Sequence, residues 1–137
     1  MNGERLVSRL ELAGQRDAAT WARRHCRSLL GSRGLVAERI DTVELCVSEL
    51  VTNAVRIAEG TPNAPLTRIS LTLTHSPGKV VIEVADGFPQ PPIRTGLVGP
   101  RAENGRGLFI VEAVSKEWGY FRPPTGGKVV WCVVGLE

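Results

Sequence analysis

The run from Asp41 to Glu59, DTVELCVSELVTNAVRIAE, constrains the fold more than any other stretch of the chain. At about 100° per residue, Val43, Cys46, Val47, Leu50, Val51, Ala54, Ile57 and Ala58 recur at the i, i+3, i+4, i+7 spacing of a core-facing helix. Glu49, Asn53 and Arg56 then fall within an arc of about 60° on one shoulder of that stripe. A base, a neutral oxygen ligand and a cation on one face could form the floor of an Mg-phosphate site, because Mg²⁺ takes oxygen ligands and keeps several waters. Helices also carry polar residues at the edge of a buried stripe for solvation alone, so this helix leaves both readings open.

A chain of 137 residues is expected to form one domain, 1–137, large enough to bury a core without staples. A net charge of +3 with its basic residues spread along the chain gives no reason to expect nucleic-acid binding. The one cluster, Arg23, Arg24 and Arg27, reads as the wet side of a helix. Cys26, Cys46 and Cys132 are far apart and form no C-x-x-C pair, which argues against a zinc site or a disulfide framework. Cys46 and Cys132 read as small core residues and suit a reducing cytoplasm. The N-terminal residues have charges interrupting every apolar run, unlike a signal peptide, and no stretch approaches membrane-spanning length. A soluble cytoplasmic protein with no membrane partner is expected.

In chain order, Leu10 and Leu12 flank Glu11 in a short alternating strand. A helix follows from Asp17, its N-cap, to about Leu30, with Ala18, Trp21, Ala22, Leu29 and Leu30 facing inward and Gly31 as the stop. The main helix is expected from about Val36 to Glu59, ended by a loop through Gly60, Pro62 and Pro65. Ile69, Leu71 and Leu73 alternate with polar residues in a strand, and Ser76-Pro77-Gly78 turns the chain. In the next strand Val80, Ile82 and Val84 share a face, and period two places Asp86 on that face too. From Gly87 to Asn104 a long loop holds Pro89, Pro91, Pro92 and Pro100, a length that is usually functional or disordered. Gly105-Arg106-Gly107 opens a helix whose inner face is Leu108, Val111 and Val114. Strands over Trp118–Phe121 and Val129–Val134, joined by a turn from Pro123 to Gly127, complete an α+β sandwich. Its helices are expected on one face of a mixed, mainly antiparallel sheet.

Taken singly, the chemical signals are ambiguous. Glycines before a helix permit a tight turn, but they also leave helix N-terminal N–H groups open to a phosphate. Gly126-Gly127-Lys128-Val129 does not make a Walker loop, and Ile110 stands where a dinucleotide fingerprint needs its third glycine. Asp86-Gly87 is a common turn pair, although an Asp at a strand end can also accept from an exocyclic amine. His25 and His75 read as surface histidines, and no nucleophile triad is suggested.

In combination the signals are specific. SELVTNAVR from Ser48 to Arg56, DGFPQPP from Asp86 to Pro92 and GRGLFIV from Gly105 to Val111 resemble the N box and two glycine boxes of the GHKL superfamily. These are the Bergerat-fold ATP-binding domains of histidine kinases, gyrase and MutL. With Trp118-Gly119 and GGKVVW, from Gly126 to Trp131, the chain most resembles the single-domain bacterial anti-sigma factor serine/threonine kinases. Ile57 stands where many relatives have histidine, and Phe88 where the wider superfamily has glycine.

The resemblance implies ATP and Mg²⁺ as cofactors, with Asn53 as the metal ligand and Glu49 as the general base. It implies that Arg56 reaches the phosphates and that Asp86, with Gly87 beside it, binds the adenine amine. Gly105, Arg106, Gly107 and Leu108 would shape the lid hinge and the triphosphate cradle. It further implies a sigma factor and an anti-sigma antagonist as partners, and a homodimer, since relatives often dimerise. Two alternatives stand beside a kinase: a non-catalytic ATP-sensing module in a partner-switching pathway, and a detached histidine-kinase catalytic domain.

Overall fold

The computed structural model describes residues 4–61, 68–89, 91–92 and 106–137. Alternation in the N-terminal segment gives strand β1 (Leu6–Ala13), longer than its two leucines announce. Helices α1 (Ala18–Ser32) and α2 (Ala37–Glu59) follow, then the hairpin β2 (Arg68–Ser76) and β3 (Lys79–Asp86). Helix α3 (Arg106–Val114) precedes the strands β4 (Glu117–Phe121) and β5 (Lys128–Gly135). The five strands pair in the order β1-β2-β3-β5-β4, every pairing antiparallel. The result is an α+β sandwich with an open antiparallel sheet and three helices.

Register brings the apolar rows together. Leu10, Leu71, Val84 and Val130 stand opposite one another across the sheet, and so do Leu73, Ile82 and Cys132. The stripe expected on α2 packs into the same core: Val43, Cys46, Val47, Leu50, Val51 and Ala54 are all buried with these strand residues. Each fully buried Val or Leu contributes about 1.5–3 kcal/mol, so this layer dominates stability. Helix α1 is joined to α2 by Arg27, whose Nε donates to Glu44 (2.7 Å) and Nη2 to Asp41 (2.6 Å). Arg23 donates to Ser48 Oγ at 2.9 Å. Two of the three clustered arginines are therefore tied between helices rather than simply solvated.

Several expectations need correction. Trp21 is 54% exposed, because the inner face of α1 is the narrower row Ala18, Ala19, Ala22, Cys26 and Leu30. Its ring lies under the Arg24 guanidinium at 5.3 Å, and its Nε1 donates to Asp17 at 3.3 Å. Gly31 does not stop α1. The helix runs to Ser32 and reverses at Gly34, whose φ of 80° is the left-handed conformation glycine allows. There Gly34 N–H bonds Gly31 O and Leu35 N–H bonds Leu30 O, the paired pattern of a Schellman end. Val114 is 39% exposed because α3 ends on it. His25 and His75 are half-buried, not free on the surface. His25 Nε2 is hydrogen-bonded to Ser8 Oγ at 2.8 Å, and Arg33 Nε donates to His75 Nδ1 at 3.0 Å. Most of the long loop after Gly87, and that after Thr61, lies outside the described residues.

Cys26, Cys46 and Cys132 are all free and buried, as expected of Cys46 and Cys132 as small core residues. Burial, helped by the charge of Glu44, pushes the Cys26 thiol up to about 12. The Cys132 thiol is raised by its hydrogen bond with Cys46 and by burial. The same hydrogen bond lowers the Cys46 thiol, so it is burial that all three share. By that burial they are expected to resist Ellman's reagent at neutral pH in the folded protein and to react together once denaturant unfolds it.

Candidate functional site

On α2, the turn-by-turn spacing of Glu49, Asn53 and Arg56 grades from core to solvent. Asn53 is buried, Glu49 half-buried and Arg56 exposed. Arg56 lines a cleft of about 220 Å³ with Arg16, Ala19, Thr52, Val55 and Glu59, where Arg16 Nε donates to Glu59 at 3.2 Å. None of Glu49, Asn53 and Asp86 lines that cleft. A wider groove of about 620 Å³ lies between β1 and α1, with Trp21, Arg24 and His25 in its wall, and includes none of the expected site residues.

The end of β3 carries the most polar part of the interior. Among the described residues only Asn53, Ser70, Asp86 and Lys128 are buried and polar or charged. Asp86 continues the buried row Val80, Ile82 and Val84, as its period predicts. Its cross-strand partner is Lys128, the first residue of β5, at the head of the buried row Val130, Cys132 and Val134. Lys128 Nζ donates to Asp86 Oδ2 at 2.8 Å, to Asp86 Oδ1 at 3.0 Å and to the Phe88 carbonyl at 3.2 Å. The Phe88 N–H donates to Asp86 Oδ1 at 2.8 Å. Asp86 thus folds the chain after β3 into a tight turn, which is then held by Lys128. The side chain of Phe88 is buried as well, so a residue larger than the superfamily's glycine is accommodated by packing.

Sequence reasoning gave Lys128 no role: it appears only in a run that fails as a Walker loop and within the GGKVVW motif. A lysine heading the alternating run Lys128, Val130, Cys132, Val134 was a usable signal, but its partner depends on strand register. The glycines before it have a physical reason too. Gly127 has φ of 71°, and a Cβ there would collide with the Asp86 carbonyl oxygen and lie 3.2 Å from Gly87 Cα. Bare backbone at Gly127 lets the start of β5 close against Asp86 and Gly87.

The other glycine box is only partly described. Gly105 lies outside the described residues; Arg106 and Gly107 are the first residues of α3. Leu108 and Val111 are buried in the core. Leu108 therefore anchors the helix through its side chain, while the N–H groups of the first turn have no partner within the helix. Helix α3 packs on α2, which carries Glu49 and Asn53.

The described residues hold no cluster of three His, Cys, Asp or Glu side chains suited to a metal. Among the described residues Asn53 offers a neutral amide oxygen, a donor type that fits the ordinary coordination of Mg²⁺ beside phosphate oxygens and water.

The sequence matches the family described as "Histidine kinase-like ATPase domain" over residues 12–133. The chain belongs to that family. ATP binding follows from membership of this ATPase family at the level of the family. The fold also matches a solved structure, the RsbU and RsbW domains of Rv1364c from Mycobacterium tuberculosis, with a TM-score of 0.69 and 20% identity. That match covers 94% of this chain and 32% of the other, so the ATPase domain here spans about a third of that chain's length. No curated protein matches the sequence. No helix among the described residues is long and apolar enough to cross a membrane.

Replacing Gly127 with Ala is expected to cost about 2 kcal/mol or more, because strained φ and a backbone collision add together. Gly126→Ala, also at positive φ but with nothing within 4 Å, should cost less. Urea denaturation of both variants measures the difference.

Proposed function

We propose that this ATPase-family domain is a Mg-dependent protein serine/threonine kinase of the anti-sigma type. In this reading it phosphorylates a small antagonist protein and, in alternation, sequesters a sigma factor. The observation that carries the reading is the placement of buried Asn53 one helical turn after half-buried Glu49, on a helix packed against both α3 and β3. Asn53 and Asp86 are two of only four buried polar or charged residues described. A mainly apolar core holding these groups suits a ligand with a metal-phosphate end and a polar base.

Within this reading Asn53 holds the metal, which when bound neutralises phosphate charge. Asp86 accepts a hydrogen bond from the purine amine. The first turn of α3, from Arg106 and Gly107, offers N–H groups to the phosphate tail. Glu49 accepts the proton of an acceptor serine hydroxyl as its oxygen attacks the γ-phosphorus, and ADP leaves. Phosphoryl transfer depends on alignment and charge neutralisation, and a positioned base adds typically about 10²–10⁴-fold. The structural neighbour includes an RsbW domain, which supports the anti-sigma setting by kinship of fold. Arg56, exposed at the α1–α2 cleft, is assigned to the outer phosphates, and a second copy of the chain is assigned as a homodimer partner.

Labelled ATP and a purified antagonist with an acceptor serine test the proposal. Transfer should fall about 10²–10⁴-fold in Glu49→Ala, while nucleotide affinity changes little. Transfer unaffected by that substitution removes Glu49 as the base, and nucleotide binding without transfer leaves a non-catalytic sensor. Asn53→Ala is expected to weaken Mg-ATP binding by about tenfold or more in calorimetry, with a smaller effect when magnesium is chelated.

A further inference from the structure

We propose that Lys128 is a positioning residue for base recognition. By locking Asp86 with one acceptor position free, it makes the site selective for purines bearing an exocyclic 6-amino group. The inference rests on the reading of Asp86 as the base-contacting residue.

The geometry leaves little slack. The Lys128 ammonium meets both oxygens of the Asp86 carboxylate from one side and the carbonyl of Phe88 from another. Lys128 is 0% exposed and so cannot itself touch a ligand in this arrangement. Each carboxylate oxygen accepts about two hydrogen bonds. Among the described residues, Oδ1 is met by Lys128 and the Phe88 N–H, whereas Oδ2 is met by Lys128 alone. One acceptor position remains, on Oδ2. The Asp86 side chain is only 2% exposed, so a ligand that reaches it does so through a small opening.

A site that offers a ligand a vacant acceptor, with its lysine fully buried behind it, has a defined preference. A 6-amino group donates to it. A 6-oxo group brings a second acceptor against a carboxylate, and a purine without a 6-substituent leaves the position unfilled. Losing a hydrogen bond to a charged group corresponds to about 10- to 100-fold in affinity. Without Lys128 the carboxylate would be free to turn about its own bonds, with one side of its turn released. The 6-amino contact would then lose its fixed direction. Selectivity, rather than nucleotide affinity as such, is the quantity that Lys128 controls.

The test measures dissociation constants of the full chain for ATP, GTP and purine riboside triphosphate, which lacks the 6-amino group. Wild type, Lys128→Met, Asp86→Asn and the double variant are compared, with folding checked by circular dichroism. Wild type is expected to prefer ATP over the unsubstituted purine about 10- to 100-fold. Lys128→Met should cut that ratio several-fold. In the Asp86→Asn background the same change should leave the ratio unaltered, because Lys128 acts through Asp86. A folded Lys128→Met with the wild-type ratio, or one that loses both nucleotides equally, overturns the proposal. Should Lys128→Met not fold, Lys128→Gln, which keeps an amide donor, is expected to show an intermediate ratio, and a wild-type ratio there overturns it. A wild type that binds triphosphates without preferring the 6-amino purine overturns this inference alone. A wild type that binds no triphosphate overturns the ATP-site reading itself.

Discussion

The contact between the apolar stripe of α2 and the inner face of the sheet is the constraint on which the rest depends. Val43, Val47, Leu50 and Val51 lie in one core with Leu71, Ile82, Val84 and Val130. That packing fixes the rotation of α2 about its axis. Once the rotation is fixed, a period of 3.6 residues puts Asn53 at the buried margin, Glu49 half out and Arg56 in solvent. The polar residues of α2 are thus oriented by its apolar ones. The same sheet face carries Asp86 at the end of a buried row, so helix and strand present their polar groups to one interior.

The Lys128–Asp86 pair is the exception to an otherwise apolar core. Taking two charges out of water costs several kcal/mol each, and their attraction offsets this only when geometry and further hydrogen bonds are good. Here both conditions hold, since the Phe88 N–H and carbonyl complete the set. An apolar pair of similar volume would nonetheless be about as stable. Stability alone therefore does not account for an ion pair at this place. What an apolar pair could not supply is a fixed acceptor inside the fold, and that is the property the proposed base recognition requires. The double-glycine turn belongs to the same device, because only at Gly127 without a Cβ can β5 begin so close to the Asp86 carbonyl.

Much of this was legible from local pattern. The buried rows of α2, β2 and β3, and the inward placement of Asp86, follow from periods of 3.6 and 2 that tertiary structure did not override. The failures share a cause. Trp21 is apolar and lies near the inner row of α1, but small residues bring that row close and leave a large ring outside. Gly31 looked like a stop, yet the left-handed residue is Gly34, and only backbone conformation tells them apart. His25 and His75 gained partners from β1 and from the end of α1, across sequence separations no local window covers. Lys128 was passed over because a lysine next to glycines reads as a loop residue until its strand register is known.

The sequence by itself determined which faces are apolar, the type of each main element and the family to which the chain belongs, because each is encoded within short windows of residues. Only the tertiary structure decided that Asp86 is held by Lys128, that Arg56 opens onto a cleft apart from Asp86, and that Arg27 ties α1 to α2. These depend on register and on the crossing of elements far apart in the chain. A side chain's charge is written in the sequence, but the partner that satisfies it is set by which strands and helices come to lie side by side.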